Sequence, residues 1–180
     1  MPGIGGGDGS HTARGYAVSE EGGVRILVLC TGNSARSQIA EALLVRHGGA
    51  RVAARSAGTS PSPGVHPEAI DVLARHGIEW TGGAPKGIDD VAGEYDLVIT
   101  VCDNARDACP FFPGAHAQVH WGLPDPTAVG NLHERRQAFD ETYDVLDRSV
   151  RNLLALPLEK LEREELSRRA SEAFTGERIA

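Results

Sequence analysis

The chain has 180 residues, 41% of them hydrophobic and 24% charged, with a net charge of −7. This is the mix of a soluble globular domain with a sizeable core. Its acidic balance argues against nucleic acid or an anionic membrane as partner, so any anion it binds must be held by local donors. Residues 1–23 are polar and Gly-rich, lack the apolar stretch of a secretory signal, and read as a disordered arm. No apolar run reaches the roughly 18 residues of a membrane span. The expected compartment is the cytoplasm, where the three cysteines serve more readily as catalysts or metal ligands than as staples.

Along the chain, residues 24–29 (VRILVL) form a short apolar run that suits a strand buried on both faces. A turn follows over Cys30 to Ser34. Ile39, Ala42, Leu43 and Leu44 then recur at helical spacing from Ala35 to His47, and Gly48-Gly49 stops that helix. Residues 51–57 read as a weak second strand, and Ser60 to Gly64 as a loop. Pro67 opens a helix to Arg75, closed by Gly77. Residues 96–101 (DLVITV) give another buried strand and residues 117–121 a short fourth one. A long amphipathic helix is expected from Leu132 to Leu156, with Leu132, Phe139, Tyr143, Leu146, Val150, Leu153 and Leu154 on its apolar side. Strands alternating with helices predict a single α/β domain over residues 24–157: a four-stranded parallel sheet flanked by helices. Residues 158–180 read as a charged helical extension.

The strongest chemical signal is Cys30-Thr31-Gly32-Asn33-Ser34-Ala35-Arg36-Ser37, between a buried strand and a helix. A strand's carboxyl end is where open α/β sheets bind ligands. Backbone N–H groups at the following helix N-terminus can cradle a tetrahedral oxyanion. Gly32 allows close approach and unusual φ values, and Arg36 can grip two oxygens at once. The same donors, with the Ser37 hydroxyl, favour a thiolate at Cys30. A structural cysteine beside an ordinary turn would not need Cys-x5-Arg-Ser.

That loop resembles the phosphate loop of the low-molecular-weight protein tyrosine phosphatase superfamily. There the cysteine attacks the central atom of the anion, and a downstream Asp-Pro pair supplies the general acid. Asp125-Pro126, just past the fourth strand, matches that pair. A protonated oxygen leaves more easily.

Cys102 ends the strand DLVITV, and Cys109 lies seven positions on, before Pro110. Three readings are open: two small apolar side chains, zinc with His116 and His120, or a disulfide relay. Zinc fits poorly, because the cysteine spacing exceeds the usual two to four residues. On a strand the two histidines would also stand about 13 Å apart. His66, His76 and His133 show no partner pattern.

Loop, Asp-Pro pair and Cys-x6-Cys together resemble the thioredoxin-coupled arsenate reductases from about Val24 to Leu156, including VCDNARDACP and HWGLPDP. The resemblance implies that Cys30 attacks arsenate and that Cys102 attacks the adduct, releasing arsenite and leaving a Cys30–Cys102 disulfide. Cys109 then takes over Cys102, and thioredoxin or another thiol reductant reduces the Cys102–Cys109 disulfide. It also implies that Asp125 helps deprotonate Cys102. No cofactor is expected. Many relatives carry a further cysteine where this chain has Ala35. Some bind potassium through residues corresponding to Asn33, Glu41 and Ser56; a later carboxylate of that site falls near Lys86, whose ammonium could stand where the ion would. A solvated lysine is the plainer reading of Lys86. The alternatives to a reductase are a phosphotyrosine-type phosphatase and a non-enzymatic anion or redox sensor. Thr127 stands where the phosphatases commonly place an aromatic residue, which argues against the first.

Overall fold

The computed structural model describes residues 23–80 and 82–176. But for Gly23, the arm expected over residues 1–23 lies outside the described residues. Four parallel strands, β1 (Val24–Cys30), β2 (Val52–Gly58), β3 (Tyr95–Thr100) and β4 (Ala115–His120), form one sheet in the order β2-β1-β3-β4. Among the described residues five α-helices accompany them: α1 (Arg36–Gly48), α2 (Pro67–Arg75), α3 (Asp103–Ala108), α4 (Leu132–Leu154) and α5 (Arg163–Ala173). Among the described residues no helix is long and apolar enough to cross a membrane.

β1 is apolar throughout because both its faces are covered. Ile26, Val28 and Cys30 face the larger core with α1 and α4. Leu27 and Leu29 face a smaller cluster with Val98, Val91, Tyr95, Phe112 and Cys109. Burial of each such aliphatic side chain stabilises the fold by roughly 1.5–3 kcal/mol. Gly49 at φ 51° ends α1 and Gly77 at φ 74° follows α2, both in the region where a side chain would be strained.

The chain leaves β1 for β2 on one side and returns to β3 on the other. The reversal between β1 and β3 is the crevice where such sheets hold ligands. Register places the ends together: Leu29 pairs with Thr100, and the Val101 N–H bonds the Leu29 carbonyl at 2.9 Å. Cys30 and Cys102 therefore emerge at one edge.

Two expectations change. Leu132 is 54% exposed, because it stands at the very start of α4, beyond the core that the rest of the apolar stripe covers. The charged segment after residue 157 is helical, and it also packs inward. Leu158, Leu161, Leu166, Ala170, Ala173 and Phe174 are buried in the larger core. Trp121 stacks on Phe174 at 5.9 Å and donates its indole N–H to the Ala170 carbonyl at 2.9 Å.

Candidate active site

The Cys30–Ser37 loop joins β1 to α1. The first turn of α1 has no side-chain cap and no acidic residue, so its N–H groups are left for an anion. Asn33 holds φ 49°, the left-handed region. The unusual φ expected at Gly32 thus falls on the next residue, where an amide side chain can bond locally to compensate. Gly32 instead serves close approach: a Cβ there would lie 2.5 Å from Ser62 Oγ.

Residues 59–66 form a second wall. Thr59, Ser60, Ser62 and His66 donate their N–H groups to the carbonyls of Cys30, Thr31, Gly32 and Ser34 at 2.8–3.1 Å. This requires Gly58, where a Cβ would sit 2.4 Å from the Thr31 carbonyl oxygen. His66 also caps α2 through Glu68 N–H and stacks on Phe139 of α4. Gly58 and this wall are missing from the sequence-based site; a glycine ending a strand ahead of a Ser/Pro-rich loop was their one signal.

Around the thiol the polar groups form a chain whose direction can be deduced. Lys86 donates its backbone N–H to Asn33 Oδ1 at 2.8 Å, which fixes Nδ2 as the donor end of that amide. Nδ2 donates to Ser37 Oγ at 2.9 Å and Ser56 Oγ at 2.8 Å. Ser37 thus has its own proton available for a Cys30 thiolate, whose sulfur is 2.7 Å away. The Asn33 N–H reaches the same sulfur at 3.1 Å. Ser56 donates to the buried Glu41, and Lys86 Nζ stands 3.8 Å from Glu41. Burial raises the Glu41 carboxyl above its ordinary value, opposed by Ser56 and Lys86.

Burial also pushes the Cys30 thiol up, and this outweighs the hydrogen bonds from Ser37 and Asn33 that pull it down. The expected thiolate preference is corrected to that extent: its donors are in place, and desolvation is the larger effect.

Arg36 donates to the Leu123 carbonyl at 2.8 Å and lies 3.7 Å from Asp125. Its Nε is buried without a protein partner, which leaves a donor for an oxyanion. Asp125 accepts from the N–H and hydroxyl of Thr127, at 3.0 and 2.8 Å. Cys30, Thr31, Gly32, Ser34, Ala35, Arg36, Ser60, Ser62, Asn104, Asp125 and Thr127 line a cavity of about 270 Å³.

The other two thiols lie outside the lining of this cavity and are placed unequally. Cys102 is buried, with its sulfur 3.3 Å from Thr31 Oγ1. Cys109 follows α3 and lies across the sheet in the smaller cluster, where burial raises its thiol pKa. All three cysteines are unpaired.

A buried cysteine beside an uncapped helix N-terminus, on the reversal edge of a parallel sheet, is the arrangement of the phosphatase-type oxyanion enzymes. The profile of the low molecular weight phosphotyrosine protein phosphatase family matches residues 25–168, and the chain belongs to that family. An arsenate reductase from Bacillus licheniformis is 38% identical over 63% of this chain and 82% of its own length. Another, from Halalkalibacterium halodurans, is 35% identical over 70% of this chain and 91% of its own. Among solved structures, the Corynebacterium glutamicum thioredoxin-dependent arsenate reductase is 32% identical with a TM-score of 0.55, covering 74% of this chain and 64% of that one.

Proposed function

We propose that the protein reduces arsenate to arsenite through a relay of Cys30, Cys102 and Cys109, with thioredoxin or a similar protein dithiol as the reductant. The observation that carries this reading is the second sulfur at the anion loop: Cys102 beside Thr31, with Cys109 one short helix beyond. A phosphate-ester hydrolase has no use for either. The similarity to arsenate reductases supports the same substrate.

Arg36 and the N–H groups of residues 31–37 hold the oxyanion above Cys30. The Cys30 thiolate attacks arsenic(V), and an oxygen leaves as water. The Cys102 thiolate then attacks Cys30 Sγ. The bonding pair of the S–As bond stays on arsenic, which departs as arsenite, and a Cys30–Cys102 disulfide remains. Cys109 attacks Cys102 and frees Cys30 as thiolate; the external dithiol reduces the resulting Cys102–Cys109 bond. Two electrons pass at each exchange. Asp125, against Arg36 at the cavity wall, is the proton carrier for the departing oxygen and then for Cys102.

Asn33, Glu41 and Ser56 do not suit a bound potassium ion here. The Asn33 side-chain oxygen Oδ1 is engaged by Lys86 N–H, the Ser56 proton points to Glu41, and the Lys86 ammonium stands beside that carboxylate. Lys86 serves as the site's own cation.

Arsenate-dependent NADPH consumption with thioredoxin and its reductase tests the reading. Wild type should turn over repeatedly. Cys102→Ser and Cys109→Ser should keep slow phosphate-ester hydrolysis at Cys30 and lose repeated turnover. Normal turnover by both variants would remove the relay.

A further inference from the structure

We infer that Gln118 and His120, the outward polar pair of β4, are positioning residues that clasp the segment carrying Cys109 in its dithiol form and so set the redox poise of the Cys102–Cys109 pair. The inference rests on the relay proposed above. β4 alternates: Ala117 and Val119 face the larger core, which turns Gln118 and His120 to the side where Cys109 lies.

Each of the two side chains holds one end of the segment. The Gln118 amide spans the turn after α3. Its oxygen accepts the Phe112 N–H at 2.7 Å, and its nitrogen donates to the carbonyls of Cys109 at 3.2 Å and Pro110 at 3.4 Å. His120 takes the other end. Its Nε2 lies 2.9 Å from Asp103 Oδ1, at the first residue of α3, and its Nδ1 lies 2.8 Å from Thr100 Oγ1. A carboxylate oxygen accepts, so Nε2 is the donor to Asp103, while Nδ1 faces the Thr100 hydroxyl. Neither side chain lines the anion cavity, so neither acts on substrate.

Disulfide formation must break these bonds. Seven residues of helical rise separate the two cysteine Cα atoms by about 10.5 Å. A disulfide needs them within about 7 Å. α3 therefore unwinds: Cys109, Pro110 and Phe112 leave Gln118, and Asp103 leaves His120. Contacts present in only one state shift the equilibrium by their full differential strength. The clasp favours the dithiol, so it makes the disulfide easier for the reductant to return. In the half-reaction, two thiols lose two protons and two electrons to the external disulfide and one S–S bond forms. No other group changes oxidation state.

The test equilibrates the full chain with reduced and oxidised dithiothreitol at a series of fixed ratios and measures the Cys102–Cys109 disulfide by alkylation and mass. Gln118→Met should shift the equilibrium about tenfold toward the disulfide, a potential about 30 mV more negative. Asp103→Ala, at an exposed position where truncation removes no core contact, should shift it the same way by less, and it decides the matter alone if Gln118→Met fails to fold. A merely structural role would lower thermal stability in both redox states and leave the potential unchanged. Equilibrium constants within twofold of wild type in these variants overturn the clasp while leaving the relay standing. A wild-type protein that never forms the Cys102–Cys109 bond overturns the relay and the clasp together.

Discussion

Residues 30–37 and residues 102–112 meet at one end of one sheet and are held in opposite ways. The anion loop is stitched by backbone bonds to residues 59–66 and by the Asn33 side chain to Ser37, Ser56 and Lys86. Its left-handed Asn33 persists because so many partners fix it. The second segment has a six-residue helix, closed by Arg106 N–H to Cys102 and Cys109 N–H to Ala105. Its outer tethers are side chains of β4, the strand at the sheet's end. Oxyanion chemistry needs donors that do not move; carrying oxidation away from a buried sulfur needs a part that does. One sheet edge carries the heavily bonded loop and the lightly tethered segment side by side.

The largest expected effect falls on the fixed half. Cys30→Ser should abolish arsenate reduction and phosphate-ester hydrolysis together, since in the proposed mechanism both begin at that sulfur. More than a few per cent of either activity would take the nucleophile's role from Cys30. Arg36→Lys should cost about 100-fold or more in kcat/KM for both, because a point charge cannot replace the two-pronged grip.

The contrast itself is measured by amide hydrogen exchange. On oxidation to the Cys102–Cys109 disulfide, exchange across residues 102–110 should rise steeply while residues 24–29 stay protected. Equal protection in both states, with the disulfide confirmed by mass, would mean that the two cysteines already lie within bonding distance.

Sequence showed these halves unequally. A nucleophile, glycine, arginine and serine at fixed spacing between a buried strand and a helix made the loop legible, because local chemistry dictates those residue types. The parallel sheet followed from the apolar runs. What stayed hidden depends on distant packing. Residues 158–174 are mostly charged; Leu166, Ala170 and Phe174 recur at helical spacing, but small or isolated apolar positions among so many charges do not say that the face is seated on Trp121. Gln118 is an ordinary strand residue until the turn after Cys109 folds onto it. Desolvation of Cys30 depends on the whole surrounding core, which is why the motif alone overstated its thiolate character.

Ser37→Ala sharpens that last point with a moderate effect. Burial raises the Cys30 pKa and the Ser37 hydrogen bond lowers it. Only the thiolate reacts, so iodoacetamide alkylation of Cys30 should climb with pH toward a raised pKa. Removing Ser37 Oγ takes away a lowering effect, moves the pKa further up and cuts the thiolate fraction at neutral pH by about tenfold. An unchanged profile would show that the 2.7 Å contact does not stabilise the charged sulfur.

The smallest effect tests how the fixed half holds its own charge. Glu41 is buried and its carboxyl raised by desolvation, while Lys86 Nζ at 3.8 Å and the Ser56 hydroxyl oppose that rise. Removing the ammonium in Lys86→Met moves the Glu41 pKa further up. The carboxylate then takes a proton at higher pH, and Ser56 loses the acceptor that orients it toward Asn33. The Lys86 side chain is 23% exposed, so solvent weakens the pair and the loss in kcat/KM should be no more than about fivefold. Its sign in pH is fixed: a raised Glu41 pKa shrinks the window of full activity from the acid side, and the variant should recover toward wild type as pH rises. Wild type should be indifferent to exchanging sodium for potassium, because its cation is covalently attached. Lys86→Met should respond to potassium, with Glu41 again able to accept an ion. Potassium stimulation of the wild type would show that Lys86 does not fill that place.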